Sequence, residues 1–332
     1  MNKWVSQILL FLAVGLRLYT ACWVCVEPAL DLARTLPFVE AFRQNAVANI
    51  RQYLPSQHSE LLVGLLLGID KFTNYDVLVR TGTIHVVVVS GYNISLVSML
   101  ALKFFGGIYR RRNFILVLVI AGIYAIVAGG QPPALRAWVM SAVVMWGKIY
   151  GRRVDSLHVL VFAGLLMILV NPLYLKSLSF QLSFLATLGL ILYADMFENE
   201  IFKHVGLRNI VISDFSVSIA AQVLVTPLIL YRFGRLSLIS PFVNALLLWT
   251  IPLSTVFGAF FLLATFLNET LALVARFTVF PWLEIFIGGV TMFSKFKYAN
   301  IDTRISLPAL VAYYVFIFLV SFSNKKERDR LN

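Results

Sequence analysis

Apolar residues gather in long uninterrupted runs, several of about 18 residues or more, instead of alternating in twos or keeping the three-and-four spacing of a surface helix. Such runs match helices that cross a hydrocarbon core of roughly 30 Å. They lie at Trp4 to Val26, Ile84 to Phe104, Phe114 to Ala128, Ala134 to Trp146, Ser156 to Val170, Phe180 to Met196, Phe215 to Tyr231, the proline-interrupted Ile239 to Phe266, Phe277 to Met292 and Ile305 to Ser323. The pattern predicts an all-α fold, a polytopic membrane helix bundle of about ten transmembrane spans. Over 27–83 it changes: Leu32, Leu36, Val39, Phe42, Val47, Ile50 and Leu54 recur at helical spacing among charged residues, with Pro28, Pro37 and Pro55 as breaks. This predicts extracytoplasmic, interfacial amphipathic helices. The order is therefore an N-terminal transmembrane anchor (1–26), interfacial helices (27–83), the main transmembrane domain (84–323) and a basic tail (324–332). The first run lacks a small-residue cleavage pattern and reads as a retained anchor.

Composition agrees. Of 332 residues, 60% are hydrophobic and 13% charged, with mean hydropathy +0.84; soluble chains carry about a quarter charged residues. The net charge of +12 follows from topology, because Lys and Arg concentrate in cytoplasmic loops. Placing Arg110, Arg111 and Arg112 inside also places Lys148, Arg152, Arg153, Lys203, His204, Arg208 and the tail Lys325, Lys326, Arg328 and Arg330 inside, with both termini cytoplasmic. Arg232, Arg235, Lys295, Lys297 and Arg304 fall on the other side, against the rule. Cys22 and Cys25 sit in the first run with no partners at metal-ligand spacing and read as packing or lipid-facing residues.

Polar groups inside the runs set the functional question, since unpaired ones are costly at membrane depth. In TGTIHVVVVSGYNIS, four β-branched residues precede Ser90-Gly91, so the helix is expected to break or restart near Gly91. Ser90, Gly91 and Asn93 then wall a cavity, or Ser90 bonds back to its own helix, Gly91 permits close packing and Asn93 caps a neighbouring helix. His85 lies at the outer end, a titratable group or an interfacial hydrogen-bonding one. In GGQPPALRAWVM, Pro132-Pro133 open a span, and Arg136 lies in its first turn, the wrong end of the macrodipole for a cation. It binds an anion such as phosphate, or it snorkels to headgroups. In NPLYLKSLSFQLSFLATLGL, Ser179, Ser183 and Thr187 form a small-residue stripe and Gln181 lies off it. Gln222, Thr226-Pro227 and Asn244 are further isolated polar positions. Together they favour a partly polar bundle interior.

Enzyme signatures are absent from the sequence. The four histidines, His58, His85, His158 and His204, form no metal motif. There is no phosphate-binding G-x-x-x-x-G-K-[ST] and no G-x-S-x-G. The expectation is a non-enzyme without metal or cofactor.

Several segments in order resemble the membrane domain of ComEC-type competence proteins: RTGTIHVVVVSGYNISLV (Arg80 to Val97), GGQPPALRAWVM (Gly129 to Met140), NPLYLKSLSFQLSFLATLGL (Asn171 to Leu190) and AAQVLVTPLILYRFGRLSLISPFVNALLLWTIPLS (Ala220 to Ser254), with PSQHSELLVGLLLGIDKF (Pro55 to Phe72) upstream. The resemblance covers about Leu54 to Ser254. Tyr92-Asn93 departs from the family's frequent Leu-His, so a protonatable role there does not carry over, and Pro133 replaces a usual small residue. Full-length relatives also carry an OB-fold domain and a metallo-β-lactamase-like domain; neither is read here, and the expectation is a minimal channel form.

The resemblance implies an inner-membrane channel for uptake of single-stranded DNA during natural transformation. Such a path needs cations for phosphates and polar or aromatic walls. The candidates are Arg80 and Arg136 near the outer mouth, His85, Ser90, Gly91, Asn93, Gln181, Ser183, Gln222 and Asn244 along the path, and Arg110, Arg111 and Arg112 at the cytoplasmic exit, where the positive-inside rule already accounts for the charge. Expected partners are single-stranded DNA, membrane lipids and a separate DNA receptor, nuclease and ATPase. The alternative is a small-solute transporter, or a membrane interaction protein that does not transport, on the same fold.

Overall fold

The structure is a computed structural model that describes residues 14–15, 36–69, 71–87, 90–105, 111–205, 210–296 and 300–331. The expected anchor is almost wholly outside these residues, as are Arg17, Cys22, Cys25 and Arg110. The helices are α1 (Pro37–Tyr53), α2 (Ser56–Leu67), α3 (Tyr75–Thr81), α4 (Ile84–Val87), α5 (Gly91–Phe104), α6 (Arg111–Val127), α7 (Pro132–Ile149), α8 (Ser156–Val170), α9 (Leu178–Val205), α10 (Ile210–Phe233), α11 (Ser240–Leu247), α12 (Thr250–Leu267), α13 (Glu269–Ser294) and α14 (Leu307–Leu331). A 3-10 turn, Pro172–Lys176, leads into α9.

The fold is all-α apart from one short pairing. Among the described residues, four stretches are long and apolar enough to cross a membrane: Leu178–Glu198, Ser213–Phe233, Thr250–Leu267 and Glu269–Ser294. Arg112–Val127, Ser156–Val170 and Leu307–Val320 are shorter apolar helices.

Local chemistry sets several ends. Asp155 caps α8 by accepting the His158 backbone N–H at 2.9 Å, a bond that, together with the His158 side chain, holds its carboxyl below the usual carboxylate range. Asn171 and Asn268 cap the 3-10 turn and α13 in the same way. The run Ile84 to Phe104 is not one helix. It divides into α4 and α5, and Ser90 takes extended backbone (φ −102°, ψ 167°) immediately before α5, as the Ser-Gly step predicts. The run Ile239 to Phe266 likewise divides between α11 and α12.

The stretch read as interfacial behaves in two ways. α1 keeps one exposed face, carrying Phe38 and Phe42, as an amphipathic pattern implies. α2 is buried at nine of its twelve positions, from His58 to Leu67. Its run LLVGLLL has no polar face to offer water, so it sits inside the largest core cluster with α1, α11, α12 and α13.

Two strands that the sequence did not reveal, β1 (Arg235–Ser237) and β2 (Asn300–Asp302), pair antiparallel with Arg235 opposite Asp302. Three-residue strands leave no readable alternation. They collect charge: Arg235 lies 3.3 Å from Asp302 and 3.7 Å from Asp76, and Arg80 lies 2.9 Å from Asp76. Two arginines, Arg80 and Arg235, thus share the carboxylates of Asp76 and Asp302. That pairing offsets the charge of Arg235, one of the cations that conflicted with the positive-inside rule.

Candidate functional site

α5, α7 and α9 meet by their N-terminal ends. Gly91, the first residue of α5, lies so close to α7 that an added Cβ would stand 2.7 Å from Arg136 Nη2 and 3.3 Å from Ala137 Cβ. Arg136, in the second turn of α7, donates from Nη1 to the carbonyl of Ser183 in the second turn of α9, at 2.8 Å. The N-terminal turns of three helices therefore meet around one guanidinium. Each end carries roughly half a positive charge, so the arrangement is electropositive and uncompensated: no carboxylate pairs with Arg136 among the described residues. Arg136 Nε and Ser183 Oγ are both buried without a protein partner. Such a group is fitted to receive an anion. The guanidinium is turned into the bundle, toward α9, and not along the helix to the headgroups as the snorkelling alternative requires.

The close contact makes a simple prediction. Gly91→Ala pushes the guanidinium away from Ser183 and costs about 1 kcal/mol, the net worth of that hydrogen bond. Chemical unfolding in detergent measures it, and the cost vanishes when Arg136 is already Leu.

Asn93 belongs to a different set. It is fully buried, and its Nδ2 donates to the carbonyl of Leu65 at 3.2 Å, to which Tyr124 Oη also donates at 3.2 Å. Arg43 Nη2 donates to Leu67 O at 3.1 Å. These groups satisfy carbonyls in the last turn of α2, which have no partner inside their own helix. Asn93 thus caps a neighbouring helix and Gly91 allows close packing, as the packing alternative stated. Ser90 makes no side-chain cap, and Ser95 bonds back to Gly91 O at 3.1 Å.

A third set joins α10 and α11. Asn244 Nδ2 donates to Ser218 Oγ at 2.9 Å, and Gln222 Nε2 donates to Ser240 Oγ at 3.2 Å. Gly82, at φ +69°, closes on this set so tightly that a Cβ would lie 2.6 Å from Ser240; any other residue there is strained twice over.

The remaining candidates are elsewhere. Gln181 donates to Leu175 O at 2.7 Å, steadying the lead-in to its own helix. His85 is exposed on α4, and Arg80 belongs to the ion-paired cluster with Asp76. Arg111 opens α6 and Arg112 is exposed beside it, at the end of the bundle away from Gly91. The structure therefore brings together Gly91, Arg136 and Ser183, and separately Gln222 and Asn244. Sequence reading missed Tyr124, whose hydroxyl gave no signal in an apolar run, and the Leu65 carbonyl, which carries no side-chain signature at all.

The family model described as competence protein matches residues 61–327. ComE operon protein 3 of Bacillus subtilis is 26% identical over 286 residues, covering 84% of this chain and 35% of that protein. An uncharacterized protein of Aquifex aeolicus is 31% identical over 183 residues, 50% of this chain and 43% of its own length. The uncharacterized protein YcaI of Escherichia coli is 30% identical over 190 residues, 53% and 24%. The chain thus spans less than half the length of each of these relatives. No solved structure matches it.

Proposed function

The chain belongs to the competence protein family, and from that membership we propose that it is the channel through which single-stranded DNA crosses the inner membrane during natural transformation. One observation carries the proposal: Arg136, unopposed by any carboxylate among the described residues, stands where the N-termini of α5, α7 and α9 converge. An electropositive point inside an apolar bundle suits a phosphate backbone, whose passage requires successive contacts with cations that release it again.

In this reading about ten spans surround the path, both termini face the cytoplasm, and Arg110 to Arg112 meet the emerging strand. Arg80 stands near the outer mouth, with Ser90, Gln222 and Asn244 behind it. A DNA receptor, a nuclease and an ATPase act as separate partners.

The test is deletion of the gene in its own cell, followed by measurement of labelled DNA that becomes nuclease-protected in the cytoplasm. Protected label falls to background and returns with a plasmid-borne copy. Unchanged uptake, with no second gene of this family present, overturns the channel and leaves the small-solute or non-transporting alternative.

A further inference from the structure

Glu284 is the only charged residue in the eighteen from Phe277 to Ser294, and it stands within about three residues of the middle of α13, one of the helices long and apolar enough to cross a membrane. Its Oε2 lies 2.6 Å from Nε2 of His58, a side chain from the first turn of α2 that is only 10% exposed, whereas Glu284 is 57% exposed. The His58 ring stacks on Phe280, one turn before Glu284 on the same helix, with centroids 4.6 Å apart and planes 13° apart. This holds the ring's Nε2 edge on the carboxylate. The other ring nitrogen, Nδ1, is buried without a protein partner. Gln57 and Glu60, on the same turns of α2, line a cavity of about 50 Å³ with Phe72, Phe286 and Thr291, room for a few water molecules.

A carboxylate held on a buried imidazole near the middle of such a helix is expensive, and packing gives no reason for it, because an apolar pair of the same volume fits better. Ionisable residues kept at this depth mark ion or proton paths by default. We propose that His58 and Glu284 form a proton-carrying site inside the membrane. A proton arriving at Nδ1 releases the Nε2 proton to Glu284, and the neutral carboxylic acid gives it up on its open side; the ring then turns over, so that its protonated nitrogen faces Glu284 and the bare one receives the next proton. The pair alternates between net charges of −1 and 0, one proton entering for each that leaves. The charged groups on the elements packed around it are Glu60 on α2, Glu269 and Arg276 on α13, Glu40, Arg43 and Arg51 on α1, Asp76 and Arg80 on α3 and His85 on α4; α12 carries none. Of these, Glu60 is tied to Thr73, and Arg276 lies over Phe280, 5.9 Å from its centroid.

The purified chain is placed in liposomes that contain a pH-sensitive dye, and a potassium diffusion potential is imposed. The interior acidifies faster than in empty liposomes, and Glu284→Gln or His58→Leu lowers that rate about 100-fold, the scale of a positioned proton-transfer group. The exchanged pair, His58→Glu with Glu284→His, restores the hydrogen bond and recovers flux, which separates lost chemistry from lost folding. Wild-type flux equal to empty liposomes, full flux in Glu284→Gln, or an exchanged pair that inserts normally yet carries no protons each overturns the proposal. No DNA is needed, so failure here leaves the channel reading standing, and the converse also holds.

Discussion

Arg136→Leu lowers nuclease-protected DNA in the cytoplasm by about tenfold to a hundredfold while leaving the bundle almost as stable as before. Two terms oppose each other in stability. The substitution removes the 2.8 Å hydrogen bond to Ser183 O, but that carbonyl keeps the Thr187 hydroxyl as a donor at 3.0 Å, so the loss is that of one hydrogen bond, about 1 kcal/mol. It also removes a cation held inside an apolar bundle, whose insertion costs about 2.5–3.5 kcal/mol at a helix centre and less toward an end. The terms are of similar size, so unfolding in detergent shifts by no more than about 1 kcal/mol. In transport nothing offsets the loss, because a charge-assisted contact to phosphate is worth about 1.5–3 kcal/mol and each 1.4 kcal/mol is a factor of ten. Arg136→Lys falls between the two. Its ammonium keeps the charge but lacks the planar fork that bonds Ser183 and still presents a second face. Normal DNA uptake in Arg136→Leu, at normal membrane levels, removes this residue from the path.

That prediction shows how far the sequence reached. Pro132-Pro133 followed by Arg136 announced a cation at a helix start, an arrangement that the macrodipole disfavours and that therefore demanded an explanation. What surrounds it was not legible, because the convergence of α5, α7 and α9 depends on Gly91 admitting α7 at contact distance, and a glycine signals permission without naming its neighbour. The restart of the helix at Ser90-Gly91 was readable, since β-branched residues followed by Ser-Gly act locally. The burial of α2 was harder to foresee. Its run of leucines fits a half-length buried helix as well as an interfacial one, and the deciding interactions come from Asn93 and Tyr124, 28 and 59 residues away from Leu65. His58 was seen only as a histidine outside any motif, because its partner Glu284 lies 226 residues on. The span count rested on run length. Four stretches among the described residues meet that length as helices, and Ile84 to Phe104, which reads as one span, is divided by extended backbone.

The Leu65 carbonyl makes the second large effect. It receives two donors, Asn93 Nδ2 and Tyr124 Oη, each at 3.2 Å, and a carbonyl oxygen has two lone pairs to accept them. Asn93→Leu removes one donor and an amide whose own Oδ1 is buried without a partner, so the loss is only about 1 kcal/mol. Tyr124→Phe removes the other at a similar loss. In the double variant nothing remains, and a carbonyl in the last turn of α2 is left orphaned among apolar helices, which adds the full desolvation penalty of about 1–3 kcal/mol beyond the sum. The cycle is therefore non-additive and positive, reaching about 3–5 kcal/mol for the pair against roughly 2 for the two singles added. Unfolding equilibria of the four proteins in one detergent measure it. Simple additivity means that water reaches Leu65, and would place an aqueous cavity at the α2 end. That outcome would move the candidate path from Arg136 toward Asn93.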